Sequence, residues 1–429
     1  MLAAHEVFVR QRTSARGSGL TLGLLAVAQF FVSTEILVDT VLIGSIGVVT
    51  AAVIGHRLVA ARVGYAARAS TWAIGCAGLL LAYPMWFSLA GPAHISGKIQ
   101  LVPQAYRSNL FDVVLPNSKS WLSPHHMPGF LSRLVASPFG NGSYLGVPLL
   151  VLLVVGVFVL WRLPVVKVAA ICGLSAFILA LGNGLTVNGV PVAAITGFPL
   201  PERILAELPL LDNIIPVRFA IFSTMCAALL LALTIDRARY WIMSRNKGLA
   251  LRTTVLSSLL GMVVLVPLIP APILGIGPTD VPAFFSSSSL DRIPAGSVAV
   301  VFPMPANASV GATLWQAVTD RRYRQPGTTL LVPGPDGKVA FSPALGGSRT
   351  TVTSTVLISM QQGTIPRETP VLRGALLGEL SAWRVRTFVA VPLGTPHPAQ
   401  ELAFFGWIFG RPPAWTDGTT YCWFGLPTE

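Results

Sequence analysis

Charge is what this sequence has least of. Only 11% of its 429 residues are Asp, Glu, Lys or Arg, while 53% are hydrophobic and the mean hydropathy is +0.67. Soluble domains carry about 25% charged residues, so an ordinary water-soluble globular chain is excluded. Cysteine is also scarce. Cys76, Cys172 and Cys226 lie inside apolar segments, and Cys422 is near the C-terminus. No pair is spaced as CxxC, so neither zinc nor a disulfide framework is implied. The three cysteines in apolar segments read as small buried residues. A Walker A loop, a GxGxxG after a strand and a Ser-His-Asp pattern are missing too. No metal and no cofactor is expected. The net charge of +13 is no sign of nucleic acid as a partner, because Lys and Arg of membrane proteins gather at cytoplasmic helix ends and near anionic lipid.

What the chain has is apolar length. Seven segments predict membrane helices: 18–33, 36–56, 70–90, 144–161, 165–182, 217–235 and 252–273. Each approaches the roughly 20 residues that span a hydrocarbon core about 30 Å thick. The stretch 18–56 is nearly twice that need at about 1.5 Å per residue, and the polar Ser33, Thr34 and Glu35 at its midpoint predict a turn. Arg10, Arg12 and Arg16 precede the first apolar run as in a signal peptide. No small-residue cleavage site follows, so the run reads as a retained helix. With this division, thirteen Lys and Arg fall in the N-terminal segment, the two short loops near 57–68 and 162–167, and the stretch 237–252. Five fall in the long loops 91–143 and 183–216. The positive-inside rule then puts the N-terminus in the cytoplasm and the C-terminus outside.

From residue 275 the character changes. Pro and Gly rise, and short β-branched runs appear at 297–304 (SVAVVFPM), 328–333 (TTLLVP), 355–360 (TVLISM) and 386–393 (RTFVAVPL). Between them, ATLWQAVTDRRY (312–323) and LRGALLGELSAW (372–383) carry apolar residues at helical spacing. Alternating strand and helix signals predict a small α/β domain with a partly parallel sheet. The serine run 286–289 reads as linker. The expected architecture is a polytopic α-helical membrane bundle of about seven transmembrane helices (1–274) followed by an extracytoplasmic α/β domain (275–429).

Glu35 and Asp39 are four residues apart, hence on one helix face. Ionisable groups in or near a membrane helix usually face the bundle interior or a water cavity. They are candidate catalytic carboxylates, orienting an acceptor or a cation. The competing reading makes Glu35 an interfacial residue closing a helical turn. The loop 91–143 is the densest polar region, with His94, Lys98, Gln104, Tyr106, Arg107, Asn109, Asp112, His125 and His126. As a functional surface it offers Arg for bidentate contact with phosphate and aromatic faces for a sugar. Otherwise it is a solvated loop. The His125–His126 pair is not a helical metal motif, since adjacent side chains diverge. Pro216 suits a helix start. Arg218 in the first turn either snorkels to headgroups or binds a lipid-linked phosphate, with Asp212 as a nearby candidate partner.

These residues suggest a family. LGLLAVAQFFVSTEIL (22–37), GPAHISG (91–97) with YRSNLFDVVLPN (106–117), FGNGSYLGVPLLVLL (139–153) and PVRF (216–219) occur in that order. They resemble bacterial polytopic glycosyltransferases of the GT-C superfamily, of an actinobacterial type. The tail, GSVAVVFPMP (296–305) with TLWQAVTDRRYRQPG (313–327), is similar to the periplasmic C-terminal domain of that subgroup. The resemblance implies a multi-pass plasma-membrane hexosyl- or pentosyltransferase. Its donor would be a polyprenyl-phosphate-linked sugar, its acceptor a cell-envelope glycan, its solvent membrane lipid. It also implies donor-side roles for His94, Tyr106, Arg107, Asp112, His125, His126 and Arg218. Proteins of this kind begin with further helices whose first outer loop carries an acidic residue that activates the acceptor. The present chain corresponds to the portion after that loop, so a partial enzyme is expected. The alternative is a catalytically silent membrane protein whose outer domain binds a glycan or a protein partner.

Overall fold

The computed structural model describes residues 2–92, 94–95, 106–116, 120–122, 141–187, 190–191, 200–208, 211–245, 250–270, 280–305, 311–326, 331–333, 337–341 and 351–426. The chain divides into two compact units. One is Met1–Trp86 with Gln100–Ile273; the other is Phe87–Ile99 with Leu274–Glu429.

The first unit is helical. Its main helices are α1 (Ala15–Val32), α2 (Thr34–Ile54), α3 (His56–Ala90), α4 (Val147–Leu160), α5 (Pro164–Ala180), α6 (Ala220–Arg245, preceded by the 3-10 turn Pro216–Phe219) and α7 (Ala250–Leu265). The turn expected near Ser33 is made by that serine alone. Its backbone is extended, its N–H bonds the Gln29 carbonyl to close α1, and its Oγ accepts the Ile36 N–H to open α2. A serine hydroxyl supplies the acceptor that the first turn of a helix lacks.

Four spans are long and apolar enough to cross a membrane: Ala15–Val32, Thr34–Ile54, Ala60–Ala90 and Pro216–Ser244. The apolar runs 144–161, 165–182 and 252–273 form helices of 14, 17 and 16 residues, shorter than the runs themselves. The local causes are visible. Pro164 opens α5 directly after the turn Trp161–Leu163, and Pro267 lies in the 3-10 turn Val266–Leu268 that follows α7. Proline fixes φ and removes a donor, so it punctuates an apolar run that composition alone leaves continuous.

Close approaches fix the direction of each helix. A Cβ on Gly19 would lie 2.3 Å from the Ala69 carbonyl oxygen, and one on Gly23 would lie 2.7 Å from that of Ala73. Both numbers rise together, so α1 and α3 run parallel, and α2, which joins the end of the one to the start of the other, runs back. Between α2 and α5, Cys172 approaches Ile43, and Gly47 approaches Val168 and Cys172, an antiparallel register. Gly173 meets Cys226 and Gly182 meets Pro216, so α5 and α6 are antiparallel. Gly142 meets Val217 while Gly156 meets Thr234, so α4 and α6 are parallel. Gly146 meets Pro267 and Gly261 meets Ile235, which sends α7 against both. The seven helices therefore alternate in direction along the chain. Small residues at the crossings let backbones approach, as packing in lipid requires.

In the second unit a sheet of β1 (Val298–Phe302), β2 (Val385–Ala390), β3 (Trp415–Thr416) and β4 (Tyr421–Phe424) has the order β1-β2-β4-β3. β1 and β2 are parallel, and the other pairs are antiparallel. Every residue of β1 is buried. Val298, Val300 and Phe302 pack with α9 (Val352–Gln361), α10 (Pro370–Ala382) and α11 (Pro398–Phe409) on one face. Ala299 and Val301 pack with Phe284, Phe285, Trp315 and Tyr323 on the other, Trp315 coming from α8 (Gly311–Val318). A strand covered on both faces reads as a continuous apolar run, and SVAVVFPM does.

Two expectations about this unit are corrected. The run 355–360 lies in α9, not in a strand. Thr351 and Ser354 form a capping box at its start, and the Glu379 carboxylate accepts the N–H groups of Val352 and Thr353 at 2.9 and 2.7 Å. Capping and core packing of Val356, Leu357 and Met360 override a weak β propensity. The serine run belongs to structure as well, because Ser287 caps the 3-10 turn Ser288–Arg292.

Candidate functional site

The start of α2, the start of α6 and the end of α5 meet at one end of the helical unit, and polar side chains converge there. Glu35, in the first turn of α2, is the hub. Its Oε1 accepts the Ile215 backbone N–H at 2.5 Å, and its Oε2 forms an ion pair with Arg218. A carboxylate with one backbone and one guanidinium donor joins two helix starts whose sequence positions are 183 apart. The side chain of Glu35 is 18% exposed and that of Arg218 is 40% exposed. The other N–H groups of Arg218 make no hydrogen bond among the described residues. Asp212, the nearby candidate partner, instead accepts from the Asn213 side chain at 2.9 Å.

Asp39 follows one turn below Glu35. It is 0% exposed, and neither carboxylate oxygen has a hydrogen-bond partner among the described residues. The surrounding stretch of α2 packs Val38, Leu42 and Ile43 into a cluster with Ile214, Phe219 and Phe222.

Arg107 comes to the same end from the long loop. Gly182 has φ +74° after α5, and a Cβ there would meet Arg107 Cβ at 3.2 Å and Pro216 Cγ at 3.6 Å. The arginine stem thus crosses Gly182 beside Pro216, two residues before Arg218. Its Nη1 reaches Asn183 Oδ1 at 3.5 Å. Burial pulls the guanidinium below its ordinary range, partly offset by Glu202, which is itself buried on the short helix Pro201–Leu205. Next to it, Ser108 donates its N–H to the Ala180 carbonyl and pairs its hydroxyl with that of Ser143 at 2.6 Å.

The remaining sequence candidates divide. Asp112 is buried, and its carboxylate accepts the Asn109 N–H at 2.7 Å and the Asn109 amide at 3.4 Å. Burial raises this carboxyl from its usual range against the pull of those bonds. Its geometry is that of a cap holding the Leu110–Val113 turn. Tyr106 is partly buried just before Arg107. His94 belongs to the second unit, where it is exposed with Nδ1 3.1 Å from the Ser88 carbonyl. His125, His126, Lys98 and Gln104 lie outside the described residues. Among the described residues no group of three His, Cys, Asp or Glu is arranged to hold a metal. Asn183, Glu202 and the Ile215 N–H were missed in sequence. Their only local signals are the Gly-Asn-Gly after α5 and prolines at two helix starts.

Aromatic–cation pairs mark the opposite end of the helical unit. Arg16 lies 5.0 Å over Trp72, Lys167 5.8 Å over Trp161 and Arg237 5.4 Å over Tyr240. Such pairs suit a headgroup layer, where Trp, Tyr and basic side chains anchor helices.

No family model, no curated protein and no solved structure matches the chain.

Proposed function

We propose that this chain is a multi-pass plasma-membrane protein of the GT-C glycosyltransferase kind, which holds a polyprenyl-phosphate-linked sugar at the extracytoplasmic end of its bundle. The observation that carries the reading is Arg218. It is half-exposed at the start of a membrane-length helix, one nitrogen is taken by Glu35, its other N–H groups make no hydrogen bond among the described residues, and the Arg107 stem passes Pro216 two residues away. A helix start favours anions, and a guanidinium adds a two-pronged phosphate contact. In this reading Arg218 and Arg107 hold the donor phosphate, Glu35 sets the Arg218 fork, and a glycan acceptor approaches from the envelope side.

Binding of a polyprenyl-phosphate probe to purified protein tests it. Lysine at 218 keeps the charge but loses the planar fork that contacts phosphate in two prongs. Arg218→Lys is expected to weaken binding about tenfold or more, roughly 1.4 kcal/mol. Equal affinity would remove Arg218 from the site, and no binding by the wild type would favour the silent membrane protein whose outer domain binds a glycan or protein partner.

The membrane orientation in this proposal has seven crossings, N-terminus inside and C-terminal domain outside. Its support is the uneven Lys and Arg distribution, the alternating helix directions, and the cation–aromatic pairs gathered at the end opposite Glu35 and Arg218. Reporter fusions after residues 65, 120, 243 and 300 are expected to read inside, outside, inside and outside. A cytoplasmic reading at 120 would overturn the orientation.

A further inference from the structure

Asp39 is the described residue whose surroundings fit its chemistry least. It is 0% exposed, both oxygens are unpartnered among the described residues, and it sits on the Glu35 face of α2. The charged groups acting on it are Glu35, on its own helix, and Arg218, on the turn that opens α6. From α5 the titratable group near this stretch is Cys172, whose Sγ points to the Ile43 carbonyl at 4.0 Å, with Cys226 of α6 beyond it. Lys167 of α5 and Arg16 of α1 lie at the far end.

Among the described residues Arg218 is the cation that acts on both carboxyls, and Glu35 already holds it. An ionised Asp39 would be a second anion in an apolar setting with no donor to either oxygen, which carries a heavy desolvation penalty. We infer that Asp39 is a proton-binding site inside the bundle, carrying a proton while Glu35 holds Arg218 and releasing it to Glu35 when Arg218 turns inward. The exchange balances. The O–H bond of Asp39 breaks and an O–H bond forms on Glu35, while the guanidinium changes partner and the total charge is unchanged. Glu35, the more exposed of the two, is then the point of proton exchange with water. Intramembrane carboxyls of this kind form proton relays and coupling sites. The inference is independent of what ligand Arg218 takes.

Infrared spectra of the purified full chain in detergent at pH 7 test it through the C=O stretch of protonated carboxylic acids. Asp39→Asn is expected to lose one such band relative to wild type. Glu35→Gln is expected to lose the same band, because Arg218 is then left with Asp39 alone and ionises it. Other protonated carboxyls cancel in the difference spectra. An Asp39→Asn spectrum whose carboxylic-acid C=O region superimposes on wild type would mean Asp39 is ionised and would overturn the inference. Retention of the band in Glu35→Gln would overturn the coupling. If Asp39→Asn does not fold, the Glu35→Gln difference decides alone, since an ionised Glu35 contributes only carboxylate bands.

Discussion

Trp423→Ala is expected to destabilise the C-terminal unit by about 3–5 kcal/mol, the range for removing a buried aromatic. Trp423 is fully buried on β4, opposite Phe388 in the register with β2. Its ring lies 5.4 Å from Phe409, 6.0 Å from Phe388 and 6.2 Å from Phe405, and its Nε1 donates to the Arg411 carbonyl at 3.0 Å. Alanine leaves a cavity among three rings and a carbonyl without its donor. Phenylalanine keeps most of the apolar volume and loses the hydrogen bond, so Trp423→Phe should cost distinctly less. Denaturant unfolding of the full chain, followed by near-UV circular dichroism, measures both. A loss below about 1 kcal/mol for the alanine variant, the ordinary scale of point substitutions, would mean that the helices collapse into the gap.

Gly19→Val is expected to cost about 1–3 kcal/mol or more through overpacking. At Gly19 an added Cβ falls 2.3 Å from the Ala69 carbonyl oxygen and 2.7 Å from Trp72 Cβ. Both obstacles are backbone or the first side-chain atom, so no rotamer change relieves them. α1 and α3 must separate, and the neighbouring contact of Gly23 with Ala73 goes with them. Gly64, on α3, meets nothing within 4 Å. Gly64→Ala is therefore a control expected to be neutral or slightly stabilising, by at most about 1 kcal/mol. Thermal unfolding of the detergent-solubilised variants compares the two. Equal midpoints for Gly19→Val and wild type would show that the close approach of these helices contributes nothing.

Of the polar end of the bundle, the sequence made Glu35, Asp39, Arg107 and Arg218 visible as residues but not as a group. Glu35 and Asp39 announce a shared face because four residues make about one helical turn. Arg218 announces a helix start because proline precedes it by two. That Glu35 holds Arg218, while Asp212 six residues away does not, follows from the packing of α2 against α5 and α6 and has no local signature. Asp112 shows the reverse. Its polarity in a polar loop suggested a ligand contact, whereas the fold commits its carboxylate to Asn109.

Composition and periodicity alone established a membrane-type helical chain, the break at Ser33 and a C-terminal unit with a partly parallel sheet. These depend on properties carried within about twenty residues: apolar length, a capping hydroxyl, and runs long enough to be buried on both faces. The helical state of 355–360 and the choice of Glu35 as the partner of Arg218 were settled by packing. Each turns on a balance of small local preferences that a contact from a distant segment tips. Glu379 caps α9 from 26 residues away, and Glu35 reaches Arg218 across 183. Such partners are chosen by which helices lie side by side, and no short stretch of sequence encodes that.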